Sequence, residues 1–163
     1  MMSREEAAKL VREALGAAIN GDAERAADLI ARLGVDSDAS RMLGICHVIA
    51  EAGNRSLRMC FGEDAPDPKQ GDSWIIEQLE PGALDDPVQA FSARFLVAYC
   101  NGDLPDAQAH YEAALRAGPE VFVGGICQLL IDVAGLARAA MHESEDGSGP
   151  PPSTRIWPPS KPM

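Results

Sequence analysis

Apolar residues recur at steps of three and four through residues 4–59 and again through residues 87–141, the rhythm of helices with one buried face. Ala7, Leu10, Val11, Ala14 and Ala18 form the first stripe and predict a helix over Arg4–Ile19. Ser3 and Glu6 form a capping-box pair at its start. Gly21 suits the left-handed stop, and Asp22 suits the cap of a second helix over Ala23–Leu33, with Ala26, Leu29, Ile30 and Leu33 inward. A third helix starts near Asp38 and runs to Met59, showing Met42, Ile45, Ile49 and Ala52 on one face. Asp86-Pro87 opens a fourth, with Val88, Phe91, Phe95 and Ala98 as its stripe. Asn101-Gly102-Asp103 stops it and caps a fifth, which shows Ala107, Tyr111, Ala114 and Leu115 and breaks at Gly118-Pro119. The sixth presents Phe122, Ile126, Leu129, Leu130, Val133 and Leu136. So broad a face needs partners on several sides, which predicts a central helix or one that also serves a symmetric dimer.

The two stretches share a text as well as a rhythm. Asn20-Gly21-Asp22 and Gly44-Ile45-Cys46 return 81 positions later as Asn101-Gly102-Asp103 and Gly125-Ile126-Cys127. Leu15, Ala17 and Ala26 meet Leu96, Ala98 and Ala107 at the same offset. The expected fold is all-α: two related three-helix units, an internal duplication, packed as a helical bundle or short repeat array. The units span 1–60 and 86–142, separated by a connector over 61–85 and followed by a proline-rich tail over 143–163; both units are expected to share one domain. In this reading N-G-D is a helix stop plus a cap, and G-I-C is a close-packing point on each third helix.

The connector carries Trp74-Ile75-Ile76 between proline and glycine breaks, read as a helical turn capped by Asp72 or Ser73. Trp74 is expected to plug a gap between the halves, the other reading being an exposed recognition residue. In the tail, Gly147-Ser148-Gly149 reads as a flexible joint, and six prolines from Pro150 to Pro162 favour an extended chain. Ile156 and Trp157 are large apolar residues in a segment otherwise too polar to fold. The tail is therefore either a free end or one whose Trp157 docks on the body or on a partner. Pro159 and Pro162 also have P-x-x-P spacing.

The net charge of −11 is uneven. Residues 1–60 hold 9 acids and 8 bases, whereas 61–90 hold 8 acids against Lys69 alone. This argues against nucleic acid and against an anionic membrane surface as partners. The acidic connector reads as a solvated loop or as a docking surface for a basic partner. Val121–Ala137 is strongly apolar but interrupted by Gln128 and Asp132, which favours a buried helix over a membrane span. The N-terminus lacks a signal-like apolar run, and Cys46, Cys60, Cys100 and Cys127 lie far apart, so a cytoplasmic chain with reduced thiols is expected. Arginine outnumbers lysine 11 to 3, which fits a GC-rich bacterial genome.

No phosphate loop, nucleophile elbow or H-E-x-x-H motif is present; His142-Glu143 begins the last without its second histidine. One constellation has metal-ligand chemistry. Cys46, His47 and Glu51 match Cys127, Gln128 and Asp132 at the 81-residue offset, and His47 and Glu51 share a helix face. If the third and sixth helices pack together, two thiols, two carboxylates and an imidazole could converge to hold zinc or do acid–base work. The competing expectation is that the cysteines are core filler and the acids solvate their helices. Asp132, on an apolar helix, needs a partner, and Arg94, Arg116 or Arg138 could supply one.

Gly102, Asp103, Ala107, Tyr111, Ala114 and Pro119 also fall at the intervals of a tetratricopeptide repeat, and residues 86–119 resemble that family. Phe91 stands near its usual first-helix aromatic, while Arg94 and Phe95 occupy places where Leu and Gly are expected. The resemblance implies a helical module that binds peptides or proteins. The first functional expectation is therefore a non-catalytic interaction or adaptor module with no cofactor or metal. A small-molecule-binding regulator, with a pocket between the units, is the alternative. A third is an enzyme using the Cys46/His47/Glu51 and Cys127/Asp132 cluster. The candidate binding residues are His47, Glu51, Trp74, Tyr111, Asp132 and Trp157, the places where the copies differ or where connector and tail have no counterpart.

Overall fold

The computed structural model describes residues 2–141 and 154–158. Its helices begin where a polar side chain can take up amides that the first turn leaves without partners. Ser3 Oγ accepts from the Glu6 amide at 3.1 Å while Glu6 Oε2 accepts from the Ser3 amide at 2.8 Å, opening α1 (Arg4–Ile19). Asp22 and Asp38 cap α2 (Ala23–Val35) and α3 (Ala39–Phe61) at 3.1 and 2.8 Å. Asp86 and Asp103 cap α4 (Pro87–Cys100) and α5 (Leu104–Ala117) at 3.0 and 3.1 Å. Each such cap contributes on the order of 1 kcal/mol. The last helix, α6, spans Pro119–Met141. Gly21 and Gly102, at φ 82° and 75°, make the turns between α1 and α2 and between α4 and α5. Two boundaries run further than the periodicity suggests: α2 passes through Gly34 to Val35, and α3 ends at Phe61.

The connector departs from expectation. Trp74-Ile75-Ile76 is not a helical turn. Ile75–Gln78 is a strand, β1, paired antiparallel with β2 (Thr154–Trp157) from the tail, with Ile76 opposite Ile156 and Glu77 opposite Arg155. The connector's helical turns lie elsewhere, at Gly62–Asp64, at Pro68–Gln70 where Asp67 is the cap, and at Ala83–Asp85. The fold is thus six helices with one two-stranded sheet among the described residues.

The helices follow a short, short, long order twice, with 16, 13 and 23 residues and then 14, 14 and 23. The two long helices pack against each other, and α6 touches all five other helices, so it is central as expected. It is long and apolar enough to cross a membrane by length and composition; Ile126, Leu129, Leu130 and Val133 are buried, and 33% of its most apolar stretch lies inside the fold. Val123 and Ile131 remain about half exposed on its outer side. One core cluster runs through all six helices and takes in Trp74.

Close approach depends on two glycines. A β-carbon at Gly53 would lie 2.9 Å from Leu96 Cδ1 and 3.0 Å from Val133 Cγ2, so α3 meets α4 and α6 there. One at Gly125 would lie 2.6 Å from Phe91 Cδ1. Gly44, the counterpart of Gly125, has nothing within 4 Å. The G-I-C text therefore marks a close-packing point in its second copy only. Two long-range bonds tie the triplets: Arg138 Nη1 donates to Ala18 O at 2.8 Å, and Tyr111 OH donates to Ala39 O at 2.5 Å.

Candidate functional site

Three of the singled-out side chains lie along one seam where α4 meets α3 and α6. Ser92, Phe95 and Tyr99 follow the helical step along α4 and reach Asp132, His47 and Glu51 in turn. Tyr99 OH donates to Glu51 Oε2 at 2.9 Å, while Arg55 Nε donates to Glu51 Oε1 at 3.3 Å. The His47 ring lies between two aromatic neighbours, its centroid 6.0 Å from Phe95 and 5.6 Å from Tyr99. Its Nε2 is buried without a hydrogen-bond partner. Burial lowers the His47 pKa, keeping the ring neutral, and burial aided by the Glu51 bond pushes the Tyr99 hydroxyl up to about 12.

Asp132 finds none of the expected arginines. Ser92 Oγ donates to its Oδ2 at 2.6 Å and Gln128 Nε2 to its Oδ1 at 2.9 Å. Arg138 turns instead to the carbonyls that end α1, bonding Ala18 O and Ile19 O. There it adds a charged donor to the negative end of α1, where Ala18 O also accepts from the Gly21 amide, while Asp132 is already served by a side chain one turn back and a hydroxyl from α4. Burial raises the Asp132 pKa, an effect the two hydrogen bonds oppose.

The signs of these shifts give a pH prediction. The folded chain holds the Asp132 proton more tightly than the unfolded chain, so ionising it lowers stability as pH rises from about 4 through the folded-state value. His47 acts oppositely. The unfolded chain takes up its proton first, so stability falls as pH drops below about 6.5. Asp132→Asn is expected to leave the protein at least as stable at pH 7 and to remove the loss on the acidic side of neutrality. His47→Gln should flatten the dependence between pH 7 and 5. Urea midpoints from pH 4 to 8 check both; a penalty for Asp132→Asn that grows toward neutral pH would contradict the assignment.

The wider cluster does not assemble. No group of three or more His, Cys, Asp and Glu side chains stands close enough to hold a metal ion among the described residues. Glu51 is drawn to Tyr99 and Asp132 to Ser92, while Cys46 is fully buried in the core. Burial pushes the Cys46 and Cys100 thiols up to about 12 and raises Cys127, which disfavours the nucleophilic thiolate. The reading of Glu51 and Asp132 as mere helix solvation is also corrected, since each accepts a hydrogen bond from α4. His142 and Glu143 lie outside the described residues.

Tyr111 is buried away from the seam. Its ring meets Phe122 edge-on at 5.4 Å and its hydroxyl ties α5 to the start of α3. Trp74 is 2% exposed, set edge-on to Phe61 at 5.5 Å. Asn101, at the end of α4, clamps the Trp74 backbone twice, accepting from its amide at 2.7 Å and donating to its carbonyl at 3.2 Å. Trp74 therefore fills a gap beside α3 and α4 and fixes the start of β1. The Trp157 backbone pairs opposite Ile75; its side chain lies outside the described residues. Its neighbour Ile156 packs against the core. Arg155 and Glu77 form an exposed ion pair, with Nη2 2.6 Å from Oε2. Sequence reasoning missed Ser92, Tyr99, Asn101 and the Glu77–Arg155 pair.

Two concavities lie elsewhere. One, of about 160 Å³, sits between α4, α5 and the start of α6 over Phe91, Ala114 and Val121, with Arg94 and His110 contributing polar groups. It is smaller than the roughly 300–1,000 Å³ of typical small-molecule sites. The other is an open, polar hollow on α2 between Arg25 and Arg32. Comparison with known proteins finds no matching family, no matching characterised protein and no matching solved structure.

Proposed function

We propose that this chain is a binding module for a protein or peptide partner, built from two related three-helix units of tetratricopeptide-like kind and acting without a covalent step. The observation that carries this reading is the β1–β2 pair: the body holds an extended segment by backbone pairing, by an ion pair and by one apolar side chain. Strand addition of this kind is a recurrent way of binding peptides. The seam adds support. Glu51 and Asp132 are occupied by Tyr99, Ser92 and Gln128, and the nearby thiols are held protonated, an arrangement suited to rigidity more than to turnover. The repeated helix order and the recurring N-G-D caps support the duplication.

The test is affinity capture with the full-length chain, followed by reconstitution from purified components. A complex of fixed stoichiometry is the expected result. Failure to reconstitute any such complex, together with marked thermal stabilisation by a small metabolite, would overturn the module in favour of a ligand-responsive regulator.

A further inference from the structure

We infer that β1 is a strand-addition site for an extended, basic peptide segment of a partner protein, and that the chain's own tail is its resting occupant. This rests on the binding-module reading and names the site and the chemistry of what it takes. The two strands are anchored differently. β1 follows directly from Trp74, which is buried to 2% exposure and clamped at both its amide and its carbonyl by Asn101. β2 has four positions paired with β1 and lies beside α4; of its described side chains, Ile156 packs against the core and Arg155 pairs with Glu77 among its contacts. The side chains of that ion pair are 43% and 45% exposed, so water screens it. β1 thus continues from a buried, clamped anchor, whereas β2 comes from the far end of the chain and meets the body through β1, α4 and Ile156.

The chemistry of the occupant follows from the register. Alternate residues of a strand face opposite ways. A branched apolar residue at the place of Ile156 reaches the core, and the preceding residue lies over Glu77 and is best served by arginine. The connector that holds β1 carries seven acids against one lysine over residues 61–85, which favours a basic segment and disfavours an acidic one. Because it is tethered to the body, the tail competes at an effective concentration of roughly millimolar and masks the site from weaker or scarcer segments.

The probe is a labelled peptide of residues 152–159, Pro-Ser-Thr-Arg-Ile-Trp-Pro-Pro, titrated into the full-length chain by fluorescence anisotropy. Binding to the chain carrying Arg155→Glu and Ile156→Asp is expected to be at least tenfold tighter than to the unaltered chain, because the resident strand has been released. Adding Glu77→Arg to that chain should weaken binding of this peptide several-fold and restore binding of one in which Arg155 is replaced by Glu. The proposal is overturned if the tail-released chain unfolds cooperatively yet fails to bind, or if binding ignores Glu77→Arg. It is also overturned if unaltered chains exchange tails into dimers and bind no partner segment, since the occupant is then a second copy. A captured partner whose complex is untouched by Glu77→Arg would overturn this site while leaving the module reading standing.

Discussion

Trp74→Ala is expected to destabilise the protein by about 3–5 kcal/mol, the usual cost of truncating a buried large aromatic side chain. Trp74 is among the largest fully buried side chains, and it stands where the end of α3, the end of α4 and the start of β1 meet. Its removal takes away the edge contact with Phe61 and empties a space that backbone clamped by Asn101 is poorly placed to refill. Trp74→Phe separates packing from the indole. The indole Nε1 is buried without a hydrogen-bond partner, so phenylalanine keeps most of the apolar contact and removes an unpaired donor. Phenylalanine is therefore expected to cost less than half as much as alanine. Urea unfolding followed by far-UV circular dichroism checks both, and a loss below about 1 kcal/mol for alanine would show that the tryptophan is not a core element.

Gly125→Val should cost about 1–3 kcal/mol, towards the upper end of the range for overpacking. A β-carbon there lies 2.6 Å from Cδ1 and 3.2 Å from Cγ of Phe91, and that ring is buried and backed by Phe95 at 5.5 Å. Relief has to come from moving the Phe91 ring, which also lines the small concavity between α4, α5 and α6, or from separating α4 and α6. Gly44→Ala is the matched control. It lies 81 positions earlier, on α3, with open space around it, so it should stabilise α3 by about 0.5–1 kcal/mol through backbone entropy alone. Equal and opposite responses from these two glycines are not expected from a symmetric molecule. Paired unfolding curves showing both substitutions destabilising would refute the packing difference.

Most of what was legible in the sequence is local. Ser3, Asp22, Asp38, Asp86 and Asp103 cap their helices as their positions suggest, because a cap reads only the next turn. The central place of α6 was legible too, since a broad apolar face needs neighbours whatever their identity. The strand at Ile75–Gln78 was not. Its partner lies 78 residues away at the ion pair, and no residue near Trp74 announces it. Asp132 shows the same division. Gln128, one turn back, already shared its face in the sequence, whereas Ser92 lies 40 residues away and could be found only from the packing of α4 on α6. Tyr99 left no sequence signal as the partner of Glu51, because its position on α4 gains meaning only from the crossing with α3. Three-dimensional juxtaposition, not residue type, separates the seam that formed from the metal cluster that did not.

The bonds from Arg138 and Tyr111 set an order on biosynthesis. The carbonyl of Ile19 waits for a guanidinium 119 residues downstream, which also adds a second donor to the Ala18 carbonyl already bonded by the Gly21 amide, and the carbonyl of Ala39 waits for a hydroxyl 72 residues later. A nascent chain that has reached only Phe61 carries the sequence of three helices and their caps but lacks α4 and α6, on which α3 packs. Its apolar face stays open while the acidic connector is being made. Only when α6 leaves the ribosome can both triplets close at once, so the first half spends its early life dependent on the second.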